Sequence, residues 1–187
     1  MNLEEYKEKA ITRLNKTIEN SSKEKMNYAC MGLIEETGEV IAEFRKPLFK
    51  GNFHEKPLDM QEIKSELGDL LWYIALICKN VNINIGQLQK EVAESNLNKR
   101  EALIQLSIKI GTQSGKIVEE YQNFNKGETQ KENLKLEIDK QCENIFELSK
   151  LVNIEFDEIL KENLNKINSR YNEKGEKRDN EQEKWKK

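Results

Sequence analysis

Apolar residues recur in alternating steps of three and four along Ile63, Leu67, Leu70, Ile74, Ile77 and Val81, the spacing that lines one stripe of an α-helix. This segment therefore predicts a helix packed into a core. Further helices are predicted wherever similar spacing follows a capping pair, a short polar residue with an acid or amide three positions later that satisfies the free N–H groups of a first turn. Such pairs stand at Asn2/Glu5, Ser21/Glu24, Asp59/Glu62, Asn84/Gln87 and Thr129/Glu132. Together they predict helices over 3–20, 23–46, 60–81, 85–99, 102–124, 130–151 and 156–171, with Pro47 to Pro57 as the longest loop.

Self-comparison changes that picture from a string of helices to a duplicated unit. Asn80-Val81-Asn82-Ile83 resembles Leu151-Val152-Asn153-Ile154, 71 positions on, and Ile34 to Phe44 resembles Gly111 to Tyr121, 77 positions on, with Gly38 over Gly115. Asn96-Leu97-Asn98-Lys99 returns as Asn163-Leu164-Asn165-Lys166 at an offset of 67, one helical turn shorter. Three matches in the same order favour duplication of a helical unit.

Composition agrees with an all-α bundle. Glu, Lys, Leu, Ile and Asn dominate, and only two prolines and nine glycines interrupt them. The 31 basic and 34 acidic residues leave a net charge of −3, a field too weak to draw in nucleic acid or a membrane surface, so a small-molecule substrate is favoured. No apolar run reaches the length of a membrane span and the first residues lack the regions of a signal peptide, which leads to the expectation of a soluble, cytoplasmic protein. Cys30, Cys78 and Cys142 are odd in number and sit among apolar helical positions, so they are expected to be buried and unpaired.

The chemistry lies in Glu35-Glu36-Thr37-Gly38-Glu39 and, further on, Glu66-Leu67-Gly68-Asp69. Residues three apart share a helix face, so Glu36 and Glu39 form one pair and Glu66 and Asp69 another, with Glu43 extending the first stripe. The second pair flanks the apolar stripe and is therefore expected at the edge of the core. Gly38 and Gly68 each precede the last acid of a pair, at a helix-propensity cost of about 1 kcal/mol. Close approach of the two helices, or of a ligand, is the expected compensation. Four carboxylates brought together call for cations, and an oxygen-only set without histidine or cysteine suits Mg²⁺, with Mn²⁺ as a substitute, better than zinc, iron or copper. The opposing reading is a solvated acidic face on an inert helical-bundle interaction module. A di-iron bundle is disfavoured because its Glu-x-x-His motifs are missing.

These residues resemble the MazG-like family of all-α nucleoside triphosphate pyrophosphohydrolases, which includes dimeric dUTPases and dCTP pyrophosphatases and has the signature EExxE, a loop, then ExxD. Leu67 to Tyr73 and Glu91 to Lys99 are similar to its continuation, and the match covers residues 1–100. The resemblance implies magnesium ions on Glu36, Glu39, Glu66 and Asp69, and attack of water on the α-phosphorus to give a nucleoside monophosphate and pyrophosphate. It implies Glu35 as the residue polarising that water, or as an outer partner, and Tyr73, Asn96 and Lys99 as nucleotide contacts.

On the 77 offset Thr112, Gln113 and Lys116 replace Glu35, Glu36 and Glu39, and on the 71 offset Glu137 and Lys140 replace Glu66 and Asp69. The expected organisation is then about seven helices in two tandem MazG-like repeats: a catalytic repeat over 1–100 and a degenerate one over 101–171 packing as its pseudo-partner. Residues 172–187 form a charged, disordered tail in this reading, and the whole is expected to form a homodimer. Trp72 is expected in core or interface, Lys46 and Lys50 as partners of a helix C-terminus, and His54 in an exposed loop.

Overall fold

A computed structural model describes residues 1–12, 22–49, 57–86, 88 and 97–172. Every element it defines there is an α-helix: α1 (Leu3–Ile11), α2 (Ser22–Leu48), α3 (Met60–Val81), α4 (Lys99–Lys126), α5 (Lys131–Leu151) and α6 (Phe156–Arg170). The all-α class follows, with six helices among the described residues where seven were expected. None of these helices is long and apolar enough to cross a membrane.

Capping chemistry explains most of the boundaries. Asn2 accepts from the Glu5 N–H at 2.8 Å and Asp59 from the N–H groups of Gln61 and Glu62, as their spacing predicts. Asn84 opens no helix. Ile85 and Gly86 lie outside helical structure because their N–H groups donate to Glu4 at 3.0 Å and Asp139 at 2.9 Å, acceptors from remote parts of the chain that replace a first turn. The rest of the expected 85–99 helix, residues 87 and 89–96, lies outside the described residues, as do 13–20 of the first. The next helix begins at Lys99 instead of 102, since Asn98 accepts from the Glu101 N–H at 3.0 Å. Before α5 the cap is Gln130 without a side-chain bond, and Thr129 instead accepts from the Asn133 amide at 2.6 Å.

The core forms where the stripes meet. Ile63, Leu67, Leu70, Ile74 and Ile77 are fully buried on α3, which packs against α2, α1 and α6, while Val81 is half-buried at its end. Helix α2 uses another face against α4, and α4 pairs with α5. A buried polar seam crosses the α2–α4 contact: the Thr37 and Ser114 hydroxyls lie 2.7 Å apart, and the Gln141 amide donates to Ser114 at 2.8 Å and to the Ile110 carbonyl at 3.1 Å. With every buried group of this seam partnered, the two helices are held in one register. The cysteines are buried and free, as expected.

Candidate metal centre

The packing of α2 against α3 turns two local carboxylate pairs into one cluster. Carboxylate oxygens of Glu36, Glu39 and Glu66 lie within 4.8 Å of one another, a grouping able to hold a metal ion. Thr37 and Val40, buried between and beside the α2 acids, face the core and leave Glu36 and Glu39 at its margin. Glu36 is half-buried, and its Oε2 atom is inaccessible to water and has no hydrogen-bond partner. Burial foremost, then the charges of Asp69, Glu39 and Glu66, pushes the Glu36 carboxyl up to about 8. Burial, a shared hydrogen bond with Glu39 and the charges of Glu39 and Asp69 raise Glu66 to about 7, with Lys166 opposing. Carboxyls held so far above their usual range are short of positive charge.

Asp69 belongs to the same electrostatic neighbourhood but has partners of its own, and they come from the far end of the chain. The Asn163 side-chain amide donates to Asp69 Oδ1 at 2.8 Å, and the Lys166 ammonium pairs with the other oxygen. Asn163 is itself oriented by the buried Tyr6 hydroxyl, which donates to its Oδ1 at 2.6 Å. Gly68 makes this contact possible: a Cβ there would stand 2.9 Å from Asn163 Cβ. The expected close approach at Gly68 therefore occurs, with α6 as the neighbour instead of α2. At Gly38 it does not occur, because nothing lies within 4 Å of an added Cβ. Asn163 and Lys166 escaped the sequence reading as site residues, although the repeated Asn-Leu-Asn-Lys run had singled them out as counterparts of Asn96 and Lys99.

The remaining candidates are scattered. Glu35 is exposed on α2, outside the three-carboxylate grouping. Tyr73 is buried; its ring fills the space over Gly32, where a Cβ would meet it at 2.1 Å, and its hydroxyl donates to that of Tyr28 at 3.3 Å. Burial, followed by the Tyr28 contact, holds its phenol well above the ordinary range. Trp72 is half-buried and stands edge-on to Tyr73, with ring centroids 4.8 Å apart. Lys99 is exposed at the start of α4, and Lys46 pairs with Glu43 at 3.2 Å. Asn96, Lys50, His54 and the segment 173–187 lie outside the described residues.

The residues aligned with the cluster in the second half also meet. The Gln113 amide donates to Glu137 at 2.6 Å, and Lys140 donates to the other Glu137 oxygen at 2.6 Å. Burial raises the Glu137 carboxyl, but the bonds from Lys140 and Gln113 and the charges of Lys140 and Lys116 outweigh it and leave the carboxyl lowered. The first half thus gathers three carboxylates beside an Asp69 paired from α6, and the second half has a single carboxylate paired with a lysine of its own helix.

Comparison with known proteins finds a likeness to the first of these arrangements. Residues 25–102 match the family model of the MazG nucleotide pyrophosphohydrolase domain, so the stretch from early α2 to the first turn of α4, with all four acids, is MazG-like. Gene 37 protein of Mycobacterium phage L5 is similar, 28% identical over 79 residues that make up 42% of this chain and 66% of that protein. The match thus spans somewhat under two thirds of that relative. No solved structure matches.

Proposed function

We propose that the protein is a magnesium-dependent pyrophosphohydrolase that cleaves nucleoside triphosphates between the α and β phosphates, with water as the second substrate and a nucleoside monophosphate and pyrophosphate as products. The observation that carries this reading is the trio Glu36, Glu39 and Glu66, with oxygens within 4.8 Å of one another, and the buried, unpartnered Oε2 of Glu36. Such a group is costly in a folded protein unless a cation joins it. An all-carboxylate set fits Mg²⁺, with Mn²⁺ as a substitute, and the holders would be Glu36, Glu39, Glu66 and Asp69. When bound, magnesium neutralises triphosphate oxygens and favours nucleophilic attack by water at phosphorus.

The protein's own part is to hold and orient. Glu35, on the exposed side of the same helix turn, takes the role of accepting the water proton. Tyr73, Asn96 and Lys99 are assigned to the nucleoside and phosphate side, with the Tyr73 hydroxyl donating to that of Tyr28. The second half serves as a pseudo-partner over 101–171, degenerate in its acids. Three features support this. Thr37 and Ser114, 77 positions apart, touch as residues on a pseudo-two-fold axis do. Left-handed residues Asn82 (φ 55°) and Asn153 (φ 58°), 71 apart, follow the ends of α3 and α5 and precede matching 2.8 Å bonds from Ile83 to Cys78 and from Ile154 to Ser149. Gln113 meets Glu137 as Glu36 meets Glu66. A cytoplasmic homodimer acting on free nucleotides, and not on nucleic acid, completes the proposal.

A panel of triphosphates incubated with the protein and Mg²⁺ tests it directly. Monophosphate and pyrophosphate are expected in equal amounts, and Glu39→Gln should lower turnover by more than the roughly 10–100-fold that loss of an outer partner of a metal ligand costs. Absence of product from every triphosphate would return the chain to an inert helical module.

A further inference from the structure

Three of the four acids leave their oxygens open to a cation, but the fourth is already taken. Asp69 is paired with the Lys166 ammonium on one oxygen and with the Asn163 amide on the other, both from α6 in the half that lacks the acidic motif. Lys166 also donates to Ser65 Oγ at 3.0 Å, and Ser65 lies one helical turn before Asp69 on α3. The ammonium therefore has a second acceptor that it keeps if Asp69 turns away. Asn163 cannot drift, because Tyr6 of α1 fixes its oxygen and Gly68 admits its Cβ against α3. One contact on Asp69 is built to stay and the other is built to be exchanged.

We propose that Lys166 is the internal counter-ion of the carboxylate cluster, holding Asp69 until a divalent cation displaces it onto Ser65, while Asn163 keeps Asp69 in position for the exchange. This rests on the metal-site reading above. The second half supplies a point of comparison: there the lysine is on the site's own helix, Lys140 against Glu137 three residues away. In the first half the lysine reaches across from another helix, 97 positions away in the chain. The C-terminal half thereby sets the cation affinity of a site whose ligands all lie in the N-terminal half. Lys166 and Asn163 are positioning residues in this scheme.

The test is binding of Mn²⁺ to the full chain, followed by the EPR signal of the free ion, together with thermal unfolding without metal. Removing a competing ammonium should tighten Mn²⁺ binding in Lys166→Met by about tenfold, the order expected for a unit charge a few ångströms from a dication in a partly wet site. The same variant should melt at a lower temperature than the parent without metal and recover when Mn²⁺ is added. Lys166→Arg should follow the parent in both. A merely structural role for Lys166 would weaken binding and stability together, so binding that is unchanged or weaker in Lys166→Met overturns the proposal while leaving the metal site standing. Should the methionine variant fail to fold, Lys166→Gln answers the same question. If the parent itself binds no Mn²⁺, the metal-site reading fails and this inference with it.

Discussion

Two glycines of the same motif type occupy opposite environments, and each sets a measurable sign. At Gly68 a methyl group would meet Asn163 Cβ at 2.9 Å, and because a Cβ is fixed by its backbone the strain cannot be relieved by rotation. Gly68→Ala should therefore destabilise by about 1–3 kcal/mol, the usual cost of overpacking, and loosen the amide that holds Asp69. At Gly38 the space is open and the backbone helical, so Gly38→Ala should stabilise by up to about 1 kcal/mol through helix propensity alone. Chemical denaturation of the two variants reads both, and equal signs would show that the glycines share a role after all. Gly32 follows the first pattern in a harsher form, since the Tyr73 ring occupies the place of its missing side chain.

Helices α2 and α3 interact as two acidic edges, which makes their contact sensitive to pH. Glu36 at about 8 and Glu66 at about 7 bind protons more tightly in the folded protein than in the unfolded chain, whose carboxyls titrate near 4.5. Stability from this source is complete below the unfolded value and is lost as pH rises through about 7 to 8. Metal-free protein should accordingly melt at progressively lower temperature between about pH 5 and about pH 9, and saturating Mg²⁺ should erase most of that fall by occupying the oxygens in place of protons. Glu36→Gln should flatten the metal-free profile. Thermal unfolding across the pH range decides it, and a flat profile in the parent would mean that the acids are not crowded in solution. Much at this scale could be read from sequence. The α3 stripe, both acidic pairs and the caps at Asn2 and Asp59 depend on spacings of three and four residues. Helix α4 starts three residues before the expected 102 because Asn98 caps it by accepting from the Glu101 N–H.

At the scale of the molecule, the two halves share faces instead of merely following one another. Helix α2 needs α4 to cover the face behind its acids, and α3 needs α6 to cover Gly68 and hold Asp69. A chain ending at residue 100 would expose both faces and lose Asn163 and Lys166. It should unfold without cooperativity, show weakened Mn²⁺ binding and lose triphosphate cleavage, as far-UV circular dichroism melts and a pyrophosphate assay would record. Full activity with unchanged substrate preference in that shortened chain would remove the second half from the site.

What the residues alone determined is everything that a helix repeats within a few turns: the all-α class, the buried stripe of α3, the free buried cysteines and the pairing of Glu36 with Glu39 and of Glu66 with Asp69. These follow because 3.6 residues per turn converts spacing directly into a shared face. Which faces then meet is a matter of packing between segments far apart in the chain, and no local period encodes it. Tertiary structure therefore decided that Gly68 receives Asn163 of α6, that Tyr73 lies over Gly32, and that Lys166, 97 positions from Asp69, brings the ammonium that partners it.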